Sequence, residues 1–224
     1  MVRRHLLLFG LITAFVVLST LANADVILNC TKNCPQQPGE QNILFKTDQS
    51  SSLVTGFTNQ SNTEIDFSST TDTLDATAKG QANLTAADGS INDVTITAPL
   101  LVFGDFIVDL ELGSLGHTGS VTITVDSVDS LGNPETPTVF SDQALGTGSN
   151  FFTIITANGE HITSITYDSG IGFSGVGFEN LKQPRISDLE TPTGQKIPEP
   201  ASLFLLGSGM LGLAAFARRR LRRS

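Results

Sequence analysis

The sequence predicts an all-β domain, an antiparallel two-sheet sandwich of the jelly-roll type, flanked by an N-terminal signal helix and a C-terminal transmembrane helix. Three observations predict this organisation. The middle of the chain alternates apolar and polar residues with a period of two, which is the pattern of half-buried strands. Gly and Asn turn signals separate these runs. Each end of the 224-residue chain carries an uncharged apolar run next to arginines.

The first 24 residues have the pattern of a secretory signal peptide. A basic start precedes an apolar run at residues 6–21, and the small residues Ala22 and Ala24 follow directly. This pattern predicts cleavage before Asp25 and export through the Sec translocon, although an uncleaved membrane anchor has a similar composition. Everything from Asp25 onwards is then expected to fold in an oxidising compartment.

Residues 25–186 are predicted to form the β-sandwich domain, and the polar residues 187–196 a linker. Val121, Ile123 and Val125 alternate with polar neighbours, and residues 106–112 alternate in the same way. The pair Asn158 and Gly159 between two β-rich runs predicts a hairpin with a type I′ turn. Further strands are predicted at residues 53–57, 64–67, 74–78, 82–86, 91–97, 138–140, 151–156, 161–167 and 172–178, and the head at 29–39 is expected to be irregular.

The C-terminal end combines an apolar helix with an arginine cluster. Residues 201–217 form an uncharged run of 17 residues, which as a helix rises roughly 25 Å, enough to cross a thin bilayer core. By the positive-inside rule, the basic residues that follow keep the C-terminus in the cytoplasm and the body on the other side. These residues are Arg218, Arg219, Arg220, Arg222 and Arg223.

The tripeptide Pro198, Glu199 and Pro200 stands immediately before this apolar run. These residues also suit the start of an ordinary helix. Together with the helix and the arginines, however, residues 197–224 resemble the PEP-CTERM sorting signal of Gram-negative bacteria. That tail is also called the ice-binding protein C-terminal domain, a name that describes the tail and not the activity. The resemblance implies that exosortase recognises residues 198–200 and removes the helix and the arginines. The stretch 150–187 is also similar to the closing strands of other proteins with this tail.

The charge of the body excludes one class of partner. All 22 acidic residues but only six basic residues lie between positions 25 and 199, which gives this stretch a net charge of −16. A body this acidic repels phosphate, so no nucleic-acid partner is expected.

The two cysteines, Cys30 and Cys34, are separated by three residues. A metal pair would need further ligands, and no Cys or His cluster lies near them. The thioredoxin-like redox motif has two intervening residues and a βαβ context, neither of which is present. In an exported chain we therefore expect a small structural disulfide, with two free thiols as the remaining alternative.

No residue pattern predicts catalysis, a metal or a cofactor. Residues 170–175 match GxGxxG, but the residues that follow have a strand pattern and not that of a helix that could hold pyrophosphate. The body offers only His117 and His161 among histidines, and no serine stands in a nucleophile elbow. We therefore expect no catalytic residues, no metal and no cofactor.

Two groups of polar residues raise other kinds of binding. Asp126, Asp129 and Asn133 are oxygen ligands near a turn, as calcium prefers, but they are not at EF-hand spacing and solvated surface carboxylates explain them as well. The triplets at 95–97 and 122–124 read Thr-Ile-Thr. Ice binding would need many such pairs on a flat repeating face, and no internal repeat is visible.

The sequence therefore predicts an exported protein. Its precursor is expected in the inner membrane with the body in the periplasm, and its mature form at the cell surface or outside the cell. The resemblance implies a non-catalytic surface or matrix protein that accompanies exopolysaccharide and biofilm, with exosortase as a partner and extracellular polysaccharide as a further one. A carbohydrate-binding or Ca-dependent adhesion module is the alternative, and a secreted glycoside hydrolase is the third.

Overall fold

The computed structural model describes residues 25–31, 34–78, 80, 82–112, 119–169 and 177–192. Within these ranges every regular element is a strand. The predicted signal helix and transmembrane helix lie outside them. The strands are β1 (Asp25–Cys30), β2 (Gln41–Leu44), β3 (Gln49–Ser51), β4 (Leu53–Thr58), β5 (Glu64–Ser68), β6 (Leu74–Ala76), β7 (Asn83–Ala86), β8 (Asp93–Thr97), β9 (Asp105–Leu112), β10 (Gly119–Val128), β11 (Thr138–Leu145), β12 (Gly148–Ala157), β13 (His161–Asp168) and β14 (Asn180–Ser187).

The strands form one large, nearly closed antiparallel sheet. Its main path runs β1-β12-β9-β14-β2-β4-β5-β8-β13-β10-β11, and β7, β6 and β3 branch from β14. The prediction of an all-β antiparallel domain is confirmed. The finer prediction of two separate sheets is not, because β2 pairs with both β14 and β4 and so joins the two halves of the path.

One hydrophobic cluster fills the inside of the sheet. Strand β9 contributes Phe106, Val108, Leu110 and Leu112 at alternate positions, as the period-two pattern predicts. Strands β4, β5, β8, β10 and β13 contribute their own alternate apolar residues to the same cluster. The phenylalanines are among the largest fully buried side chains, so they supply much of the core, as expected from the sequence.

The other predicted strands from position 53 onwards are present, except 172–178. Only residues 177 and 178 of that stretch are described, and there Phe178 forms an isolated bridge with Ile91 while the strand begins at Asn180. The turn at Asn158 and Gly159 is also present, since both residues have positive φ and the Glu160 amide donates to the Ala157 carbonyl over 3.0 Å. The prediction that the two strands joined by this turn pair with each other as a hairpin is wrong. Strand β12 pairs with β1 and β9, whereas β13 pairs with β10 and β8, so the turn links two distant parts of the sheet.

The segment between β1 and β2, of which residues 31 and 34–40 are described, connects two strands that lie four spacings apart in the sheet. Cys30, Thr153, Ile107, Arg185 and Asn42 follow one another along a single row of paired residues from β1 through β12, β9 and β14 to β2. The chain leaves this row at one end and returns at the other, about 19 Å away at four strand spacings. Thr153 and Ile107 have no exposed surface although they point away from the core cluster. We call residues 34–40 the strap.

Both ends of the described domain lie at one end of the sheet. Strand β1 begins at Asp25, and the last pairing near the C-terminus joins Glu190 to Val102 by two hydrogen bonds of 2.9 Å. Strands β1 and β14 are three spacings apart across β12 and β9, which is about 14 Å. We call this the exit end. The pairing at Glu190 also extends the ordered ladder into the segment predicted as a linker.

Gly177 provides a test of how closely the backbone packs. Gly177 precedes Phe178, which pairs with Ile91, and a Cβ atom on Gly177 would overlap the Ile91 carbonyl oxygen. We expect Gly177→Ala to lower the free energy of unfolding by about 1–3 kcal/mol, because backbone must move to make room. Gly119→Ala is the matched control, since its Cβ would meet only the Leu112 side chain at 3.6 Å. Equal urea midpoints for the two variants would contradict the packing described here.

Candidate functional site

One side of the sheet carries an ordered array of short polar side chains. In antiparallel pairs, residues opposite each other point to the same side. One row joins Thr124, Thr166, Thr95 and Ser68 across β10, β13, β8 and β5. The neighbouring row joins Asp126, Ser164, Thr97, Asp66 and Thr55. With Thr122, these ten residues form what we call the hydroxyl face.

The hydroxyl face is half-exposed, and cross-strand hydrogen bonds order it. The Thr95 and Thr166 hydroxyl oxygens lie 2.8 Å apart. Ser164 donates to an Asp126 carboxylate oxygen over 2.6 Å, and Thr55 donates to Asp66 over 2.8 Å. These cross-strand hydrogen bonds orient six of the ten side chains of the face.

The hydroxyl face is acidic and has no basic member. Its charged residues are Asp66 and Asp126. The basic residues of the described ranges lie elsewhere: Lys182 pairs with Glu111 and Arg185 with Glu40, both from β14. Lys46 lies over the Phe57 ring, 4.0 Å from its centroid, at the rim of the face. The face therefore presents hydroxyls and carboxylates to solvent.

Asp93 extends the acidic character to one edge of this face. Ser69 donates to it over 3.0 Å, and Thr70 donates through its amide over 2.9 Å and its hydroxyl over 3.1 Å. Thr71 donates as well. Partial burial opposes ionisation, but these hydrogen bonds outweigh it and hold the pKa of Asp93 below its ordinary value. The carboxylate therefore stays ionised near neutral pH.

A second polar cluster lies at the far end of the strap. Arg185 donates to Glu40 over 3.0 Å, and the Glu40 side chain is fully buried. Asp105 is also buried and accepts a hydrogen bond from Ser187. Burial raises the pKa of Asp105 to about 6, the Ser187 bond opposes this, and the negative charge of Glu40 adds to it. The Glu40 ion pair thus fixes the end of the strap against β14.

Glu160 is a third carboxyl group with an altered environment. Its side chain accepts a hydrogen bond of 2.5 Å from Ser127, and both residues are buried. Burial raises the pKa of Glu160, the Ser127 bond opposes this, and the charges of Glu135 and Asp25 add to it. Neither Glu160 nor Asp105 is open to a bulky substrate, because each is at most 6% exposed.

The residues that raised calcium binding are occupied within the protein. Asp129 accepts hydrogen bonds of 2.8 Å from the amides of Leu131 and Asn133 and from the Asn133 side chain. These bonds, led by the one from the Asn133 side chain, hold the pKa of Asp129 below its ordinary value. Asp126 belongs to the hydroxyl face instead. Across the described ranges, no group of three or more His, Cys, Asp or Glu residues is placed to hold a metal ion.

The other residues predicted from the sequence are distributed as follows. Cys30 and Cys34 form a disulfide with their Cα atoms 5.5 Å apart, at the start of the strap. Asp25 begins β1 and accepts a hydrogen bond of 3.3 Å from Asn158. His161 begins β13. Ala22, Ala24, His117, the 198–200 tripeptide and the arginine cluster lie outside the described residues. No helix in the described part of the chain is long and apolar enough to cross a membrane.

The sequence shows the polar residues of the hydroxyl face strand by strand, but it does not show that these strands are neighbours. The two Thr-Ile-Thr triplets lie on β8 and β10, and β13 lies between them with Ser164 and Thr166 in register. The alternation shows which residues of a strand point outwards, but only the strand order shows which strands are neighbours. The Glu40–Arg185 pair spans 145 positions and had no local signal.

Comparison with known proteins identifies the C-terminal tail. Residues 196–223 match the PEP-CTERM protein-sorting motif. The predicted sorting signal is therefore confirmed, and it indicates an exosortase-targeted protein of the cell surface or exterior, made as a membrane-anchored precursor. Neither the curated proteins nor the solved structures contain a match to the chain.

The raised pKa of Asp105 gives a prediction for stability against pH. An acid whose folded-state pKa is about 6 instead of 3.8 stabilises the fold at low pH, and this contribution is lost as the pH rises through 6. We expect Asp105→Asn to be more stable than the parent at pH 8 by about 1–2 kcal/mol and to differ little at pH 4. Urea unfolding at both pH values measures this. Asp66→Asn, on the exposed face, is the control; an Asp105→Asn effect that is the same at both pH values would exclude this cause.

Proposed function

We propose that this is an exported, exosortase-processed protein of the cell surface or extracellular matrix, without catalytic activity, whose hydroxyl face associates with neutral extracellular polysaccharide. The sorting motif at residues 196–223 supports the destination. The hydroxyl face is the observation that carries the polysaccharide part, and the biofilm association is what the resemblance of the tail implies.

The chemistry of the hydroxyl face suits a polyhydroxylated polymer. Its fixed hydroxyls and carboxylates can donate to and accept from sugar hydroxyls in the geometry that the strand register sets. Five strands from β4 to β10 give a width of about 19 Å. Leu53 and Val139, which are 51% and 53% exposed, flank the row of Thr124 and Ser68 and offer apolar contact to sugar ring faces.

The charge of the face selects among polysaccharides. Because the face has carboxylates and no cation, an anionic polysaccharide is repelled unless a divalent cation lies between them. A neutral polysaccharide meets no such barrier. The face has no Trp or Tyr as a sugar platform, so each contact is weak, and binding to a polymer depends on many copies of the protein acting together.

A non-catalytic role agrees with the placement of the unusual carboxyl groups. Glycosidases need two carboxyl groups facing each other across an open cleft. Among the described carboxyl groups, the two whose pKa is raised, Asp105 and Glu160, are buried and hydrogen-bonded to serines. The exposed carboxylates of the hydroxyl face accept hydrogen bonds from side chains of neighbouring strands. This arrangement suits hydrogen bonding to a ligand better than proton transfer.

The sorting role predicts the fate of a tail variant. In a host that contains exosortase, we expect Pro198→Ala combined with Glu199→Ala to leave a membrane-retained precursor that keeps its arginines, because the recognition segment is lost. Cell fractionation and intact mass measure this. Pro192→Ala, outside the matched motif, is the control and should mature as the parent does. Equal maturation of all three proteins would refute the recognition role.

The polysaccharide role predicts that hydroxyl groups, and not shape, carry binding. In the mature protein we expect Thr95→Val with Thr166→Val to keep the fold, since Val suits strands, and to weaken binding to a neutral glucan at least about threefold by losing hydrogen bonds. Calorimetric titration with calcium and with chelator measures this. Thr85→Val on β7 is the control.

The outcomes separate the alternatives. If the double variant binds the glucan more weakly and the Thr85→Val control does not, the result supports the hydroxyl face as the binding surface. Calcium-dependent binding would favour a Ca-dependent adhesion module, and release of sugars by the parent protein would favour a hydrolase. Unchanged binding by the double variant would refute the assignment of this face.

A further inference from the structure

The exit end carries a leucine in an unfavourable conformation and environment. Leu100 has φ of 63° and is 91% exposed, at the third position of a turn closed by the Leu101 amide and the Ala98 carbonyl over 3.0 Å. Pro99 precedes it, and turns of this kind ordinarily have Gly or Asn at the third position because φ is positive there. A large apolar residue at this position strains the backbone and contacts water without helping the domain to fold.

Leu100 lies beside the point where the chain leaves the domain. Val102, two residues after it, forms both hydrogen bonds with Glu190. Ten residues, 191–200, then separate Glu190 from the apolar run at 201–217. Ten residues reach at most about 35 Å even when fully extended. In a membrane-anchored precursor the exit end is therefore held close to the bilayer.

Asp25 and a second exposed leucine also lie at the exit end. Asp25, where the signal segment joins the domain, lies at this end as well. Leu131, which is 54% exposed, lies at the tip of the loop after β10. That loop belongs to the exit end because Val128 pairs with His161, and Ile162 pairs with Phe103. Two exposed leucines on two separate loops thus lie where both predicted membrane segments join the domain.

We propose that Leu100, with Leu131, inserts into the lipid surface and holds the exit end of the domain against the membrane while the precursor is anchored. This proposal rests on the membrane-anchored precursor of the proposed function. The apolar area is too small to bind a free protein, and Asp129 and Glu190 near these loops are repelled by anionic lipids. The anchor makes the contact intramolecular, so a weak interaction is sufficient, and it ends when exosortase removes the tail.

The test uses the signal-processed precursor, residues 25–224, in vesicles of phosphatidylethanolamine and phosphatidylglycerol that contain a lipid spin-labelled just below the headgroup. A bimane probe on Leu131→Cys reports lipid contact, and the same probe on Asp88→Cys, in an exposed turn at the opposite end, is the control. The native cysteines are paired, so only the introduced thiol is labelled. We expect quenching of the Leu131 probe to exceed that of the Asp88 probe at least about twofold, since only the former approaches lipid.

Two changes at Leu100 then separate a lipid contact from a structural role. Asn accepts positive φ and is polar, so Leu100→Asn should leave Tm equal to or above that of the parent and lower quenching of the Leu131 probe towards the Asp88 level. Leu100→Met keeps an apolar side chain and should retain the quenching. Quenching that is equal at the two ends, or unchanged by Leu100→Asn, would overturn the proposal.

A separate measurement distinguishes failure of the contact from failure of the precursor itself. Flotation of the vesicles after an alkaline wash shows whether the chain is integrally anchored. A chain that floats but shows equal quenching at both ends overturns the lipid contact alone. A chain that is washed off overturns the anchored precursor, and the lipid contact with it.

Discussion

Strand β9 is buried on both sides, and much of the structure depends on this constraint. Phe106, Val108, Leu110 and Leu112 face the hydrophobic cluster, while Asp105, Ile107 and Asp109 on the other side are also covered. A strand covered on both sides needs a second layer, and Glu40 at the end of the strap lies on this side, paired with Arg185 in the row of Ile107. The carboxyl groups buried on this side need partners. Ser187 bonds Asp105, and the Asn150 amide bonds Asp109 over 2.7 Å.

Two interactions hold the two ends of the strap in place. The disulfide between Cys30 and Cys34 closes a small loop where the chain leaves β1, and the Glu40–Arg185 pair fixes the chain before it enters β2. A short disulfide loop restrains little of the unfolded chain, so its main effect is to direct the strap at its start. Breaking the buried ion pair would leave Arg185 or Glu40 uncompensated, which is more costly than the pair is stabilising.

The sequence predicts a strand where apolar and polar residues alternate. It does not predict a strand whose residues lack this alternation. Strand β10 was evident because Val121, Ile123 and Val125 alternate with polar residues. Strand β14 contains Pro184 and three polar or charged neighbours, and Pro is found in strands at bulges; the register of β14 shifts between Lys182 and Arg185, and Gln183 has φ of 51°. Only the similarity to related closing strands indicated it. The hydroxyl face depends on strand order, which no local pattern encodes.

Export and surface chemistry place different demands on the chain, and the structure keeps them apart. The sorting tail depends on the order of the tripeptide, the apolar run and the arginines near the C-terminus. It requires only that the chain can leave the body without obstruction. The body meets this requirement by bringing Asp25 and Glu190 to the same end of the sheet, where β1 and β14 lie three strand spacings, about 14 Å, apart. The hydroxyl face lies on a side of the sheet and not across its exit end, and it extends from the row of Asp126 and Ser164, near that end, towards Thr122. A domain held to a membrane at one end can therefore present this face to a polymer both before and after its release.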